Sequence, residues 1–600
     1  MSTYPIETIR HSTAHLLASA VLELFPGTKL GVGPVIENGF FYDLDTPTPL
    51  SPQDLLKIEK RMKEIIKRKE PFTRNEMKLD EAIEFFSERK QDYKVSLLKD
   101  LKERGTTAIK PDEAQDLAAE KPNIAGIYTT GKFVDLCRGP HVTTTGDLGA
   151  FKLTKIAGAY WRGNEKNKML TRVYGVAFTT ADELNNHLTM LEEAKKRDHR
   201  KIGEDLELFT IVDEVGAGLP LFYPKGALVR RLIEGLINEL QEAKGYTPIW
   251  VPHITKENLY KISGHLEKYD AMYPPMSLKD EANYYLKPMN CPHFMMLYKS
   301  KPHSYRELPL RWTCTTTVYR YEKSGELSGL TRVRALTQDD CHVFTTPAGI
   351  EGEIKIMLDL IGKVYKIFGF KDFWVRISTH DPANKEKYIG DPAVWKESEA
   401  ALQKLISGRG WKYEVGGGEA AFYGPKLDFM IKDALGRQWQ LSTIQLDMNL
   451  PGRFNLEYTD ADGGKKQPVV IHRAILGSTE RFLGILIEHL AGAFPVWLSP
   501  VQASIIPVGK AHAKPCGKLH KMLLKAGIRS EFEPSNDTVG YKIRQAEKQK
   551  IPYMLVVGDK EAKLSKLSVR LRGKKANKTM TPKSFITLVQ KQIAGKKGRS

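Results

Sequence analysis

The chain has 600 residues, 41% hydrophobic and 27% charged, with a formal net charge of +19. That length calls for several domains, and that composition can fill a core in each, which excludes a disordered protein. No apolar run of about 18 residues occurs, and the opening MSTYPIETIRHSTAHLL has no basic head followed by an apolar stretch, so neither a membrane span nor a secretory signal is expected.

In chain order, HSTAHLLASAVLELF predicts a helix with His11 and His15 at i and i+4, on one face. GFFYDLD reads as a strand. Cys137 and His141 follow in CRGPH. HxxxH with CxxxH has the spacing of a zinc site, and a histidine-rich core is the plainer alternative. The block 1–200 ends in DELNNHLTMLEEAKKRDHRKIGEDLELF, a charged helix that reads as a linker.

The block 201–495 mixes helix-like GALVRRLIEGLINELQEAKG with strand-like TTTVYRYE, FWVRIS, KLDFMIKD and QWQLSTIQLDM. That order predicts an α+β block, an antiparallel sheet with helices packed on it. KPMNCPHF puts Cys291 between two prolines that disfavour helix. TTTVYRYEKSGELSGLTRVRALTQDDCHVF, residues 315–344, predicts a strand, a loop and a second strand. Arg320 and Glu322 alternate with Tyr319 and Tyr321, which puts them on one face of the first strand. VVIHRAILGSTERFLGILIEHL, residues 469–490, predicts a strand, a Gly-Ser turn and a helix starting near Glu480 and Arg481. An arginine at such a helix start suits a phosphate, although strand arginines are more often surface ion pairs.

The block 496–600 alternates strand-like SIIPVG and YMLVVGD with helix-like KPCGKLHKMLLKAG and YKIRQAEKQK, a small α/β domain. From 497 onward it carries 23 Lys+Arg against 6 Asp+Glu, so it holds nearly all of the excess positive charge. A basic module of this kind suits a phosphate backbone, while the terminal KKGRS reads as a solvated tail. The five cysteines, 137, 291, 314, 341 and 516, are odd in number and scattered. This predicts a reducing cytoplasmic setting in which a special cysteine is a metal ligand or nucleophile.

The two strand–loop segments resemble motifs 2 and 3 of the class II aminoacyl-tRNA synthetases. With MNCP, TRVR, TQDDCHVF, FYGPKLDF and VIHRAILGS, the resemblance narrows to the threonyl-tRNA synthetases and covers essentially the whole chain. It implies a class II antiparallel-sheet catalytic core, an N-terminal α+β editing domain and a C-terminal α/β anticodon-binding domain. It also implies ATP-dependent activation of L-threonine to threonyl-adenylate, transfer to tRNA(Thr), and hydrolysis of mischarged Ser-tRNA. In this family one cysteine and two histidines hold a catalytic Zn2+, one per subunit. The matching residues are Cys291, His342 and His472, and three ligands leave an open position.

His293 and Phe294 depart from the family pattern beside Cys291. Cys341 adjoins His342 but, as its strand neighbour, is expected to face the other way. For threonine the resemblance implies Met289, Gln338, Asp340, Tyr423, Gln445 and Ser478. For ATP, taken up with Mg2+, it implies Arg320, Glu322, Arg332, Gln440 and Arg481, with Arg320, Arg481 and Glu322 as the catalytic set. Ser328 and Ala335 depart from common residues without removing a charge.

His11, His15, Cys137 and His141, with Asp135 nearby, match the editing domain shared with the alanyl enzymes. There such residues bind zinc, whereas in the threonyl family they form a metal-free hydrolytic pocket. Asn536, Arg544, Glu561 and Arg570 match positions near the anticodon. Residues 227–244 and YTPIWVPHI look like motif 1, which implies a homodimer. The chain starts directly in the editing domain, without the small ubiquitin-like domain that commonly opens bacterial members. An RNA-binding regulator on a synthetase scaffold is the rival reading. It would keep the basic module and lose the active-site charges and zinc ligands that are present here.

Overall fold

The computed structural model describes residues 4–107, 123–279, 281–433, 436–532 and 534–596, so only Lys596 of the terminal KKGRS is described. The chain divides into two compact units, one up to Glu192 and one from Glu193 onward.

In the first unit the helix Ile6–Leu24 is buried almost continuously from Thr8 to Val21. It lies against an antiparallel sheet whose order is Lys29–Leu30, Gly39–Asp45, Met169–Phe178 and Ala150–Tyr160. The helix Pro52–Arg68 buries Leu55, Ile58, Met62 and Ile65, a spacing of three or four that makes one apolar stripe. Its start is fixed by Ser51 and Asp54, whose carboxylate accepts from the Ser51 N–H at 2.9 Å. A second antiparallel sheet joins Thr73–Lys78, Ile124–Thr130 and Phe133–Leu136.

The predicted linker is two helices rather than one, Ala181–Arg197 and His199–Asp205. Asp198 breaks them because its carboxylate accepts from the Arg200 N–H at 2.8 Å and so caps the second helix.

The second unit is built on an eight-stranded sheet. Its order is Thr247–Pro248, Leu310–Tyr319, Ala335–Thr345, Val469–Ala474, Gln438–Asp447, Lys426–Lys432, Phe373–Thr379 and Tyr413–Gly417. All neighbours are antiparallel except the outermost pair at each edge. Period-two alternation splits its residues between two cores. Cys341, Val343, Ile471, Ile444, Leu446, Leu427 and Phe429 face the core formed with the helices Pro224–Glu242, Ile350–Phe368 and Thr479–Leu490. Cys314, Val470 and Phe344 belong to a separate cluster with Cys291, Phe294 and Tyr423, on the side that carries the site.

C-terminal to this, a second sheet runs Ser530–Phe532, Ala503–Pro507, Tyr553–Val557, Leu567–Leu571 and Asn577–Met580, parallel in its first three strands and antiparallel after. The helices Ala513–Lys525 and Pro582–Gly595 supply Leu519, Leu523, Phe585 and Val589 to its core. Among the described residues, no helix is long and apolar enough to cross a membrane.

Candidate active site and metal-ligand clusters

Sheet register builds the centre of the site. His342 pairs with His472, and His472 with Gln445, so three strands put these side chains in one row. Gln338 and Asp340 precede His342 by four and two residues on the same face. Cys291 reaches the row from a helix, Cys291–Lys299, and not from the strand or loop that its flanking prolines suggest. Pro292 occupies the first turn of that helix, where the missing N–H has no partner to lose. The candidate ligand atoms of Cys291, His342 and His472 all lie within 4.8 Å of one another, and all three residues are buried.

The donors fit a cation. Neither ring nitrogen of His342 has a hydrogen-bond partner, and the nearest carboxylate oxygen, Asp340 Oδ1, is 3.6 Å away. His472 Nε2 sits 2.9 Å from Asp447 Oδ2 while its Nδ1 has no partner. Buried unpaired nitrogens are costly, and a histidine tied to a carboxylate on one side is how metal-binding imidazoles are oriented. Burial, and then the Asp340 and Asp447 carboxylates, push the Cys291 thiol well above its usual range. Phe294 stacks on the His342 ring with centroids 4.1 Å apart. His293 is buried with neither ring nitrogen hydrogen-bonded. Cys341 faces away and contributes to the helix-side core.

A cavity of about 560 Å³ opens above this row. Met289, Cys291, Gln338, Asp340, Tyr423, Gln445 and His472 line it together with Arg320. Asp340 Oδ2 accepts from Asn290 Nδ2 at 2.9 Å, which leaves Oδ1 uncommitted to that partner. The Tyr423 hydroxyl donates to Gln445 Oε1. The sequence pattern missed Asn290 and Asp447. Asp447 was findable by alternation, two residues past Gln445 on one strand.

Arg320 and Glu322 do not lie on the strand, which ends at Tyr319. After one further bond, Arg320 N–H to Arg334 O at 2.9 Å, the two strands separate and Tyr321 N–H turns to Ala271 O. Glu322 and Arg332 meet each other instead, with Arg332 Nε to Glu322 Oε2 at 2.9 Å and Arg332 Nη2 to Glu326 Oε2 at 2.8 Å. Ser478 caps the helix Thr479–Leu490 by accepting from Arg481 N–H at 3.1 Å. Gln440 is held by Asp428 and Arg376, with its Nε2 2.7 Å from Asp428 Oδ1. Arg481 donates Nε to Thr331 O at 2.9 Å and Nη1 to Gln440 O at 3.3 Å. Burial, and then Arg320 and Arg332, lower the pKa of its guanidinium. Arg320 and Arg332 both act on Arg481, and of the three Arg332 has its charge met by Glu322 and Glu326.

In the first unit, the candidate ligand atoms of His11, His15, Cys137 and His141 also lie within 4.8 Å of one another. Cys137 Sγ is 3.3 Å from both His11 Nε2 and His141 Nε2. His141 Nδ1 pairs with Ser12 Oγ at 3.0 Å, and Ser12 Oγ donates to Thr8 O at 2.8 Å. Burial lowers His141 to about 3 and raises Cys137 to about 12, so at neutral pH the set is uncharged. Asp135 lies 3.6 Å from His15 Nε2, accepts from the Tyr42 hydroxyl and pairs with Lys94 Nζ at 2.6 Å. Lys94, 2% exposed, was missed because a lone lysine in DYKVSLLKDLKER carries no local signal.

In the C-terminal region Asn536 and Arg544 are exposed. Arg570 Nη2 is 3.6 Å from Glu547 Oε1, one turn beyond Arg544 on its helix, so the two arginines share a neighbourhood. Glu561 instead accepts from the Gly558 N–H at 3.1 Å in its own turn.

Comparison with known proteins covers each region. Residues 276–490 match the tRNA synthetase class II core domain (G, H, P, S and T), 502–592 the Anticodon binding domain, and 126–174 the Threonyl and Alanyl tRNA synthetase second additional domain. Threonine–tRNA ligase of Rubrobacter xylanophilus is 48% identical over 592 residues, 98% of this chain and 89% of that protein. The Cytophaga hutchinsonii threonine–tRNA ligase is 46% identical, over 98% of this chain and 88% of its own length. A crystal structure titled as the RNA binding domain of threonyl-tRNA synthetase from Cryptosporidium parvum Iowa II superposes with a TM-score of 0.63 at 36% identity, covering 66% of this chain and 98% of that one.

Proposed function

The chain belongs to the threonine–tRNA ligases, and from that premise we propose that threonine binds in the cavity over Cys291, His342 and His472 and that ATP binds against Arg320, Arg332 and Arg481. The reaction is the ATP-dependent joining of threonine to tRNA, with hydrolytic editing by the second additional domain. ATP and Mg2+ use follow from the class II core.

Cys291, His342 and His472 are the residues that would hold zinc, one per subunit. The ion would supply a Lewis-acid position for the substrate amine and hydroxyl. Asp340, with Oδ2 held by Asn290, accepts the hydroxyl hydrogen through Oδ1. Valine offers a methyl group there and leaves that carboxylate unpaired. An apolar pocket alone separates such isosteres by only about a hundredfold, whereas a site built to bond the hydroxyl does far better. Gln338, Tyr423 and Gln445 hold the amine and the pose, and Met289 closes the side-chain pocket. Ser478 acts through the helix start that aims Arg481.

Arg320 bridges the threonine carboxylate and the α-phosphate. Its Nε has no protein partner, as expected of a group reserved for an anion. The carboxylate oxygen forms a bond to the α-phosphorus as the bond to pyrophosphate breaks. Negative charge on the phosphate oxygens is met by Arg320, Arg332 and Arg481, which lowers the barrier mainly by positioning and electrostatics. Arg332 exchanges its bonds to Glu322 and Glu326 for the distal phosphates, and Glu322 turns to the adenine.

Serine has the same amine and hydroxyl, and one methyl gives only about 1–3 kcal/mol of discrimination, so a hydrolytic pocket is needed. We assign it to His11, His15, Asp135, Cys137 and His141, without metal. The internal bonding of Cys137 and His141 supports that reading. Asn536, Arg544, Glu561 and Arg570 contact the tRNA(Thr) anticodon. A homodimer through the helix Pro224–Glu242 and the segment after it accords with Trp250, 74% exposed, and Ile254, 48% exposed. The five unpaired cysteines accord with the cytoplasm.

The observation that carries the substrate assignment is the meeting of Cys291, His342 and His472 beneath Asp340. It is tested by amino-acid-dependent ATP–pyrophosphate exchange with threonine, serine and valine, before and after zinc is stripped. Strong exchange with threonine, weaker with serine, negligible with valine and lost on stripping is expected. Exchange that survives complete stripping overturns the metal assignment. No exchange from folded, zinc-loaded protein points to the regulator.

A further inference from the structure

His199 belongs to none of the motifs above, yet it is 3% exposed and bonded at both ring nitrogens. Nε2 lies 3.0 Å from the Leu330 backbone N–H, and Nδ1 lies 2.6 Å from Glu488 Oε1. A backbone N–H can only donate, so Nε2 accepts and Nδ1 carries the hydrogen given to the carboxylate. Asp198, His199 and Glu488 also fall within metal-ligand distance of one another. These two bonds account for the imidazole without an ion.

The partners make the geometry specific. Leu330 and Thr331 lie on the return arm of the loop that presents Arg332. Arg481 and Glu488 are seven residues apart on the helix Thr479–Leu490, two turns along one face. Arg481 takes the Thr331 carbonyl directly, at 2.9 Å. Glu488 takes the Leu330 N–H through His199. Between them Gly484 leaves room for both: a Cβ there would lie 3.2 Å from Leu330 Cβ and 3.5 Å from His199 Cδ2. On the loop side Gly329 has φ +48, and a Cβ would fall 2.2 Å from His199 Nε2. Glu488 is itself fixed by Arg437, which pairs with Asp433.

We propose that His199 is a positioning residue for amino-acid activation, latching the ATP-binding loop at Leu330 to the helix that carries Arg481. The proposal rests on the assignment of Arg332 and Arg481 to ATP. With the latch closed, the two arginines approach the phosphates from a shared, rigid frame. With it open, the loop arm keeps its bond to that helix through Arg481, a group that must also serve the nucleotide.

The two ring nitrogens can be separated by substitution in the full chain. An asparagine amide can reach the place of Nδ1, and a glutamine amide the place of Nε2. His199→Asn keeps a donor for Glu488 and leaves the buried Leu330 N–H unpaired. In pyrophosphate exchange its KM for ATP is expected to rise about tenfold or more, the scale of one buried N–H left without a partner. Its KM for threonine and its zinc content are expected to stay within about twofold, since neither site loses a bond. His199→Gln restores an acceptor for Leu330 and is expected to recover most of the ATP affinity, even where its thermal stability is the lower of the two. Gly329→Ala, which pushes the ring away, is expected to resemble His199→Asn. Equal KM values for ATP in wild type, His199→Asn and Gly329→Ala overturn the latch. So does a glutamine variant no better than asparagine when both are folded and zinc-loaded. Absence of exchange from the wild-type protein would instead remove the functional reading beneath it.

Discussion

Two cysteine–histidine clusters of similar make-up occupy the two units, and they differ in what their polar atoms already do. In the catalytic unit His342 has two unpaired ring nitrogens, and His472 has one, opposite the nitrogen oriented by Asp447. In the first unit Cys137 sits between His11 and His141, His141 is bonded onward to Ser12, and His15 Nδ1 is buried without a partner. The spacing of ligands, within 4.8 Å in both, does not separate them. The degree of pairing does: three unpaired ring nitrogens fit a cation, while a cluster bonded mostly among its own members and to Ser12 can work as it stands.

The hardest test of this contrast removes a ligand. Cys291→Ala is expected to abolish zinc binding and to cost threonine-dependent exchange more than the roughly 10–100-fold typical of an outer-shell change. Hydrolysis of Ser-tRNA should be unaffected. The contrast breaks if the variant still carries one zinc per chain by elemental analysis. The mirror experiment is Cys137→Ala. Zinc content and exchange should stay at wild-type levels while Ser-tRNA hydrolysis falls by about 10²-fold or more, the scale of a lost acid–base group. A drop in zinc content would make the first cluster a metal site after all. Asp447→Asn keeps all three ligands and loosens one, so zinc affinity in a chelator competition should fall about 10–100-fold. The smallest effect is reserved for Phe294→Leu, which loses the stacking on His342. About 0.5–1.5 kcal/mol of stability should go, seen as a lower melting temperature with exchange intact.

Much of this was legible in the residues. The order of blocks and the strand–loop–strand around Arg320 follow from quoted motifs, whereas Cys291, His342 and His472 were grouped through the family resemblance. Alternation alone sent Cys341 to the opposite face from His342, as the two cores bear out. Other readings failed locally. Proline beside Cys291 suggested a break in helix, but at a first turn proline is compatible with helix. Arg320 and Glu322 were read as strand residues, because pattern shows where alternation holds and not where two strands part.

By itself the sequence determined the chemical types, the domain order and the faces of each strand, since these depend on neighbours a few residues away. Tertiary structure alone decided which buried atoms are satisfied. Asp447 meets His472 across 25 residues, Asn290 meets Asp340 across 50, and Leu330 meets His199 across 131. Such partners are chosen by sheet register and helix packing, and no local period encodes them. The unpaired nitrogens of His342, like the doubly bonded ring of His199, exist only once the fold has fixed what lies within about 3 Å of each.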